Sequence, residues 1–370
     1  MPVGRCRACT AVDPVVVLDL GTQPAADHFP LMTDPGPDAA FPLAMRLCRS
    51  CGLAQLDDDL SEADEPRAVE PEALRLQAAQ AVGLVERAGL LTAARTVAEF
   101  GSPHGGSVVP LFTARGLTEV PGGPADVVFD SFGMMHEADQ ADAVGRRAAR
   151  LAIEGTLLLQ FHSLEAILRQ GQWNALRHGH YAYYSLTSVV PLLAAVGLRV
   201  VTAWEFDLYG GTVLLAARRD GRPDAAVQRI LEREAAAGVT DPAVSARLQQ
   251  AVDLDASALH AHLSDQKRSG RTVFGYGAAS RAVALLAVAG VDAELLAGVA
   301  DASRAKQGRR MPGSGVPVIS PEQLVAADPD EVLLLLPDLL PEVERNYPAL
   351  AGRWRVHRVP EHSADDGLGT

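Results

Sequence analysis

The chain has 370 residues, 48% of them hydrophobic and 21% charged, with a formal net charge of −13 and a pI near 5.2. That length and apolar content support two or three packed domains and exclude a disordered chain. The acidic balance repels phosphate backbones and anionic lipids, so neither nucleic acid nor membrane is an expected partner, although an anionic small molecule can bind through local donors.

No apolar run approaches the ~20 residues needed to span a bilayer. The N-terminus, MPVGRCRACT, lacks the apolar core of a signal peptide. The expectation is a cytoplasmic protein with reduced thiols. Residues 1–60 hold all four cysteines and strand-like runs such as 15–20. An acidic stretch, 57–72, reads as a solvated linker into a helix over 72–91.

Residues 95–219 alternate apolar runs with helical patterns. Strands are predicted at 96–100, 125–130 and 155–161, a helix over 139–151, and another over 185–196 stopped by Gly197. Runs 198–205 and 212–217 form a strand pair around Gly210 and Gly211, giving an α/β sheet with an antiparallel edge. Residues 224–265 read as helices. A strand over 271–276 then opens into Gly275-Tyr276-Gly277-Ala278-Ala279-Ser280, followed by a helix to about 289, strands at 296–300 and 331–336, and a helix from Pro321. This is a second, smaller Rossmann-like unit. The tail after Pro360 is expected to fray.

The cysteines form a C-x2-C pair, Cys6 and Cys9, and a second pair, Cys48 and Cys51, followed by Gly52. Two such knuckles present four thiolates to one tetrahedral ion, as in zinc ribbons, and the spacing favours zinc over disulfides or unrelated core cysteines. With four protein ligands the site is closed and structural. Gly52 suits a knuckle that needs positive φ. Arg5, Arg7, Arg46 and Arg49 are expected to offset the charge of a tetrathiolate site.

The amides around Gly275, Gly277 and Ser280 can bind phosphate. As a dinucleotide fingerprint the segment is incomplete: the third glycine is absent, and no acid is expected to end a following strand at the usual offset. Lys306 and Arg309-Arg310 either reach a diphosphate or form a solvated basic loop.

The pattern CRAC, VLDLGTQPAADHF and FPLAMRLCRSCGLAQL resembles the N-terminal domain of sugar C-methyltransferases. Further along, Gln160 to Leu164, the stretch QWNALRHGHYAYYSL at 172–186, Tyr209-Gly210-Gly211-Thr212, Gly275-Tyr276-Gly277-Ala278 and Lys306-Gln307-Gly308 resemble later segments of that family in the same order. The resemblance implies a three-part α/β protein. A zinc-binding domain (1–60) precedes a class I methyltransferase-like Rossmann domain (72–219) and a C-terminal Rossmann-like domain (224–362). It also implies a dTDP-linked keto-deoxysugar bound between the last two and S-adenosylmethionine in the middle one, in natural-product sugar biosynthesis. The implied substrate contacts are Tyr181, Gly210, Gly211, Gly275, Tyr276, Gly277, Lys306 and Arg309. The implied cofactor contacts are Glu99, Gly101 and Gly105 in the loop Glu99-Phe100-Gly101-Ser102-Pro103-His104-Gly105-Gly106.

Two departures stand out. Residues 117–120 read as the second strand, and only Pro121-Gly122-Gly123-Pro124 precede the next one. A helix and a further strand, which wall the adenine in the family, need roughly 25 residues or more. The adenosine half of the cofactor pocket is therefore expected to be missing, with Glu119 the one candidate for a ribose acid. The family's Tyr-His-Glu-His has become Arg177-His178-Gly179-His180, while His136 matches the family's histidine after the fourth strand. An imidazole ordinarily titrates near neutral pH, so His180, His136 and His178 are candidate proton carriers, with a structural role the other reading of His178. Arg177 beside them either pairs a sugar phosphate or an enolate oxygen or is a surface residue. The sequence leaves three readings. The first is S-adenosylmethionine-independent proton transfer next to a ketone, giving isomerisation, epimerisation or elimination. The second is a methyltransferase with a rebuilt cofactor pocket. The third is a non-catalytic partner that binds nucleotide-sugar.

Overall fold

The computed structural model describes residues 4–34, 36–57, 61, 70–101 and 105–359. Most of the 57–72 linker, residues 102–104 of the glycine loop and the tail from Pro360 lie outside the described residues.

Among the described residues, fifteen strands form three sheets. The first sheet contains β1 (Pro14–Pro24), β2 (Ala40–Cys48) and β3 (Ala54–Leu56), all antiparallel. Alternation along β2 turns Leu43, Met45 and Leu47 inward. Next in the chain come β4 (Thr96–Phe100), β5 (Thr118–Glu119), β6 (Ala125–Ser131), β7 (Leu151–His162) and β8 (Ala182–Tyr183). β8 leaves the middle of the chain to complete the first sheet, pairing Ala54 with Tyr183.

The second sheet has the order β5-β4-β6-β7-β10-β9, with β9 at Arg199–Phe206 and β10 at Thr212–Arg218. Its first four strands are parallel and β10 is antiparallel to both neighbours, as the apolar runs implied. Side chains of β7 alternate between two cores: Leu157 and Leu159 face the helices Gln140–Ala149 and Leu186–Ala194, and Leu158 faces the helices Glu72–Arg87 and Val109–Thr113. Between β5 and β6 there is neither helix nor strand.

The third sheet is parallel throughout, in the order β13-β12-β11-β14-β15, from β11 (Val273–Tyr276), β12 (Val299–Ala300), β13 (Val318–Ile319), β14 (Glu331–Leu334) and β15 (Trp354–Val356). Helices Arg247–Arg268 and Ser280–Val288 cover one face and Pro321–Ala327 and Leu340–Asn346 the other. One apolar core runs from Leu18, Phe29 and Leu43 of the first sheet through Trp173 to Leu259 and Leu285 of the C-terminal unit. The cysteine-bearing segment is thus packed against both other parts of the chain. No helix among the described residues is long and apolar enough to cross a membrane.

Candidate functional site

The four cysteines converge. Their sulfurs lie within 4.8 Å of one another, with Cys6 Sγ 3.5 Å from Cys51 Sγ and Cys9 Sγ 3.7 Å from Cys48 Sγ. A tetrahedral ion with Zn–S bonds of ~2.3 Å spaces its sulfurs ~3.8 Å apart, so the residues fit one zinc. Each knuckle closes with the same turn: Thr10 N donates to Cys6 O at 3.0 Å and Gly52 N to Cys48 O at 2.9 Å. The residue after each pair is left-handed, Thr10 at φ 61° and Gly52 at φ 73°. A Cβ at Gly52 would also stand 2.6 Å from Thr240 Cγ2. Hydrogen bonding with Cys51 pulls the Cys6 thiol down to about 5, so at least one thiolate is favoured before any ion binds. Bound zinc would tie the two knuckles together and leave no open position for chemistry.

The expected arginine shell is only partly there. Buried Arg7 donates to the carbonyls of Leu56, Asp57 and Ala138 and lies over the Tyr181 ring, and Arg46 pairs with Asp57 at 2.5 Å. Both guanidiniums thus brace the first sheet, and Arg7 also fastens it to the middle unit.

The main cavity, with about 1500 Å³ of empty space including its mouth, lies where the three parts meet. The middle unit supplies Phe132, Met135, His136, His162, Arg177, His180 and Tyr209. Asp130, at the end of β6, accepts from Gly133 N at 2.7 Å and Met134 N at 3.1 Å, and so folds the turn that presents His136. Asp130 is itself held by buried Arg147 at 2.5 Å. The rings of His136 and His180 meet edge to face, 4.4 Å apart. Arg177 donates to His180 Nε2 from Nε at 2.8 Å and reaches Ser280 Oγ of the C-terminal unit at 2.5 Å.

Burial, then Arg177, holds His136 down to about 3. Burial, then Arg281 and Arg177, does the same to His162. Both imidazoles are therefore neutral at physiological pH. Arg281 is lowered to about 10, by burial first and Arg177 second. Arg177 and Arg281 thus stand beside neutral bases, a local setting that can hold an anion or a developing enolate, while Asp27, Glu70, Asp301 and Glu342 line the same cavity. Two wall aromatics, Phe132 and Tyr209, hold left-handed backbones at φ 61° and φ 57° and pack ring to ring at 5.8 Å. Backbone conformations of this kind concentrate at functional sites.

The structure brings His136, His180, Arg177, Tyr276, Gly277 and Lys306 together on this wall and places other expected residues elsewhere. His178 is buried beneath the first sheet, its Nε2 3.2 Å from Pro42 O and its ring against Phe41. Tyr181 is covered by Arg7 rather than lining the cavity. Gly210 and Gly211 shape the turn behind Tyr209: both have positive φ, and a Cβ on either would collide with Gln170 and Gln172 or with Ala166. Gly275 lies inside β11, where a Cβ would press on Val299 at 3.1 Å. Arg309 donates to Phe29 O at 2.6 Å and Arg310 pairs with Asp38 at 2.6 Å, so the basic loop clasps the first sheet instead of a diphosphate. Sequence reading gave Arg281 and Asp301 no role, held Ser280 only as a phosphate-binding amide, and carried His162 and Tyr209 only as positions within motifs. The signal for His162 lay in the apolar run 155–161, which continues one residue further and aims it at the cavity.

The S-adenosylmethionine side fares differently. Glu99 accepts from Ser107 Oγ and Val108 N, within its own loop. Gly105, at φ 80°, lines a smaller pocket with Glu99, Ser107 and Glu70. Gly101 lines neither cavity, and the Glu70 carboxylate covers the face that Gly106 leaves open. Glu119 pairs with Val97. The register leaves it four residues short of Gly101, roughly 13 Å at ~3.3 Å per residue, so it cannot serve as the ribose acid. No helix or strand lies between β5 and β6, so the adenosyl side lacks the wall that such elements would supply there.

Two family models match: C-methyltransferase C-terminal domain over residues 207–356, and "Putative zinc binding domain" over residues 6–64. C-methyltransferase NovU of Streptomyces niveus is 27% identical over 419 aligned positions, covering 97% of this chain and 96% of the relative. The chain belongs to this C-methyltransferase family. The alignment with NovU is longer than the chain, so the relative carries residues absent here. Among solved structures, magnesium protoporphyrin IX methyltransferase from Synechocystis PCC 6803 is 13% identical, covering 40% of this chain and 84% of that one, with a TM-score of 0.32. An O-methyltransferase family protein from Burkholderia thailandensis is 15% identical, covering 40% and 57%, with a TM-score of 0.29. Scores this low say nothing about the chemistry of this chain.

Proposed function

We propose that this family member acts on a nucleotide-linked keto-deoxysugar, in the dTDP-linked form its resemblance implies, and moves a proton at the carbon next to the ketone without S-adenosylmethionine. The observation that carries this reading is one cavity holding His136, His162 and His180 beside Arg177 and Arg281, next to a cofactor side with no adenosyl wall. The guanidiniums hold the enolate oxygen and the diphosphate, and an imidazole takes the proton. Substrate anions would offset Arg177 and Arg281, the smaller of the causes that hold His136 and His162 down, while burial, the larger one, remains. Return of the proton to the same or the opposite face gives exchange or epimerisation, and return to another carbon gives isomerisation.

Deuterium exchange into a dTDP-4-keto-sugar, followed by NMR, tests the reading. Exchange that falls in both His180→Ala and His136→Ala supports it. No exchange by the wild-type protein leaves a non-catalytic nucleotide-sugar-binding partner.

A second reading, a methyltransferase with a rebuilt pocket, is favoured by the smaller pocket at Glu99, Gly105 and Ser107, which shares Glu70 with the main cavity. Calorimetric titration with S-adenosylmethionine decides between the two: micromolar binding selects this second reading.

A further inference from the structure

The third sheet reverses direction at β11: the chain steps outward to β12 and β13, then crosses back to β14 and β15. In an open parallel sheet, the crevice outside the carboxyl ends of the strands at such a reversal is the general ligand position. The main cavity takes its C-terminal wall there, from Tyr276 to Arg281 after β11, Asp301 and Ala302 after β12, and Leu336 and Leu339 after β14. An acid, Asp301, ends the strand next to the glycine turn; it directly follows the predicted strand 296–300 but stands beyond the usual offset of about 20 residues.

The register sets Tyr276 opposite Ala300, so Asp301 stands beside Gly277. Gly277 N donates to Ala300 O at 2.8 Å. Ala278 N donates to Asp301 Oδ2 and Ser303 N to Asp301 Oδ1, each at 2.8 Å. The carboxylate is thus oriented at the cavity wall, with two amides among its contacts. Buried Lys306 donates to Ala278 O at 2.9 Å and braces the turn from the other side.

We infer that Asp301 holds a pentose hydroxyl of the nucleoside. That placement directs the diphosphate past Gly277 and Ser280 toward Arg281 and Arg177, and the sugar toward His136 and His180. The inference rests on the nucleotide-sugar reading and adds the residue that fixes which way the nucleotide runs. A hydroxyl donating to a carboxylate is a charge-assisted bond, and losing it weakens binding by about 10- to 100-fold.

Calorimetric titration of the full chain with dTDP, with its 3′-deoxy analogue and with inorganic pyrophosphate tests it. The wild-type protein is expected to bind dTDP at least about tenfold more tightly than the 3′-deoxy analogue. Asp301→Asn is expected to bind both nucleotides at the weaker level, with a smaller loss for pyrophosphate than for dTDP. Equal binding of the two nucleotides by wild type, a comparison that needs no variant, overturns Asp301's role alone. So does discrimination that persists in Asp301→Asn. Failure of wild type to bind dTDP overturns the nucleotide reading and this inference together.

Discussion

Arg177 and His180 are joined within one loop: Nε and Nη2 of the arginine lie 2.8 and 2.5 Å from His180 Nε2, and Nη1 reaches across to Ser280 Oγ at 2.5 Å. A guanidinium can only donate, so Nε2 is the acceptor and the neutral ring carries its proton on Nδ1. One side chain thus sets a histidine's tautomer and ties it to the C-terminal unit. Arg177→Lys keeps the charge and loses the fork. Exchange at the keto-sugar is expected to fall by roughly 10- to 100-fold in both Arg177→Lys and Arg177→Gln. An unchanged rate in Arg177→Gln shows that the pair only holds the loop.

The two histidines of the Arg177–His180 stretch lie in different surroundings, His180 on the cavity wall and His178 beneath the first sheet. His180→Gln is expected to lose exchange activity by about 10²-fold or more with little change in melting temperature. His178→Gln should do the reverse, because it disturbs the packing on Phe41 and Pro42 while leaving the cavity wall intact. Paired rate and melting measurements check this, and a large rate loss in His178→Gln defeats the assignment.

Acid should weaken the fold through His136 and His162. Both sit near 3 in the folded chain and near 6.5 when unfolded, so below pH 6.5 the unfolded state binds more protons. Their contribution is level above that pH and is lost as pH falls toward 3, with a limiting slope of about 2.7 kcal/mol per pH unit for the two together. Urea midpoints between pH 7.5 and 4.5 measure it. A His136→Gln/His162→Gln double variant should show a shallower dependence, and an identical slope removes these residues from the account.

Zinc removal should loosen more than the knuckles. Elemental analysis is expected to find one zinc per chain, and Cys48→Ser or strong chelation should lower the melting temperature by several degrees. Because β8 pairs with β3 and Arg7 bridges to Ala138, chelation should also reduce exchange activity without touching a wall residue. Full activity in metal-free protein contradicts that coupling.

Arg147 and Asp130 form a buried pair, 2% and 0% exposed at their side chains, that holds the turn before His136. Arg147→Met leaves an uncompensated buried carboxylate and is expected to cost about 3–5 kcal/mol. Asp130→Asn should cost similarly, and the double variant less than the sum of the two. Additive losses in chemical denaturation rule out direct coupling.

Local chemistry made much of this protein legible in its sequence. Two C-x2-C pairs define a metal site because thiolates and tetrahedral geometry leave few alternatives, and Gly52 announced its left-handed turn. Apolar periodicity placed the longer helices and most strands of both larger sheets, but not the short helices Val109–Thr113, Leu164–Arg169 and Leu340–Asn346. The missing helix and strand before β6 could be read by counting, since secondary structure has a fixed rise per residue. Chain-distant pairing was beyond that reach. That β8 joins the zinc sheet, that Arg309 and Arg310 clasp the first sheet, and that His178 turns inward while His162 faces the cavity are outcomes of packing between segments far apart in the chain. Asp301 belongs with them, because its position beside Gly277 follows from the register of two parallel strands. Side-chain direction at a junction of three units is set by which surfaces exclude water against one another, and no local pattern encodes that choice.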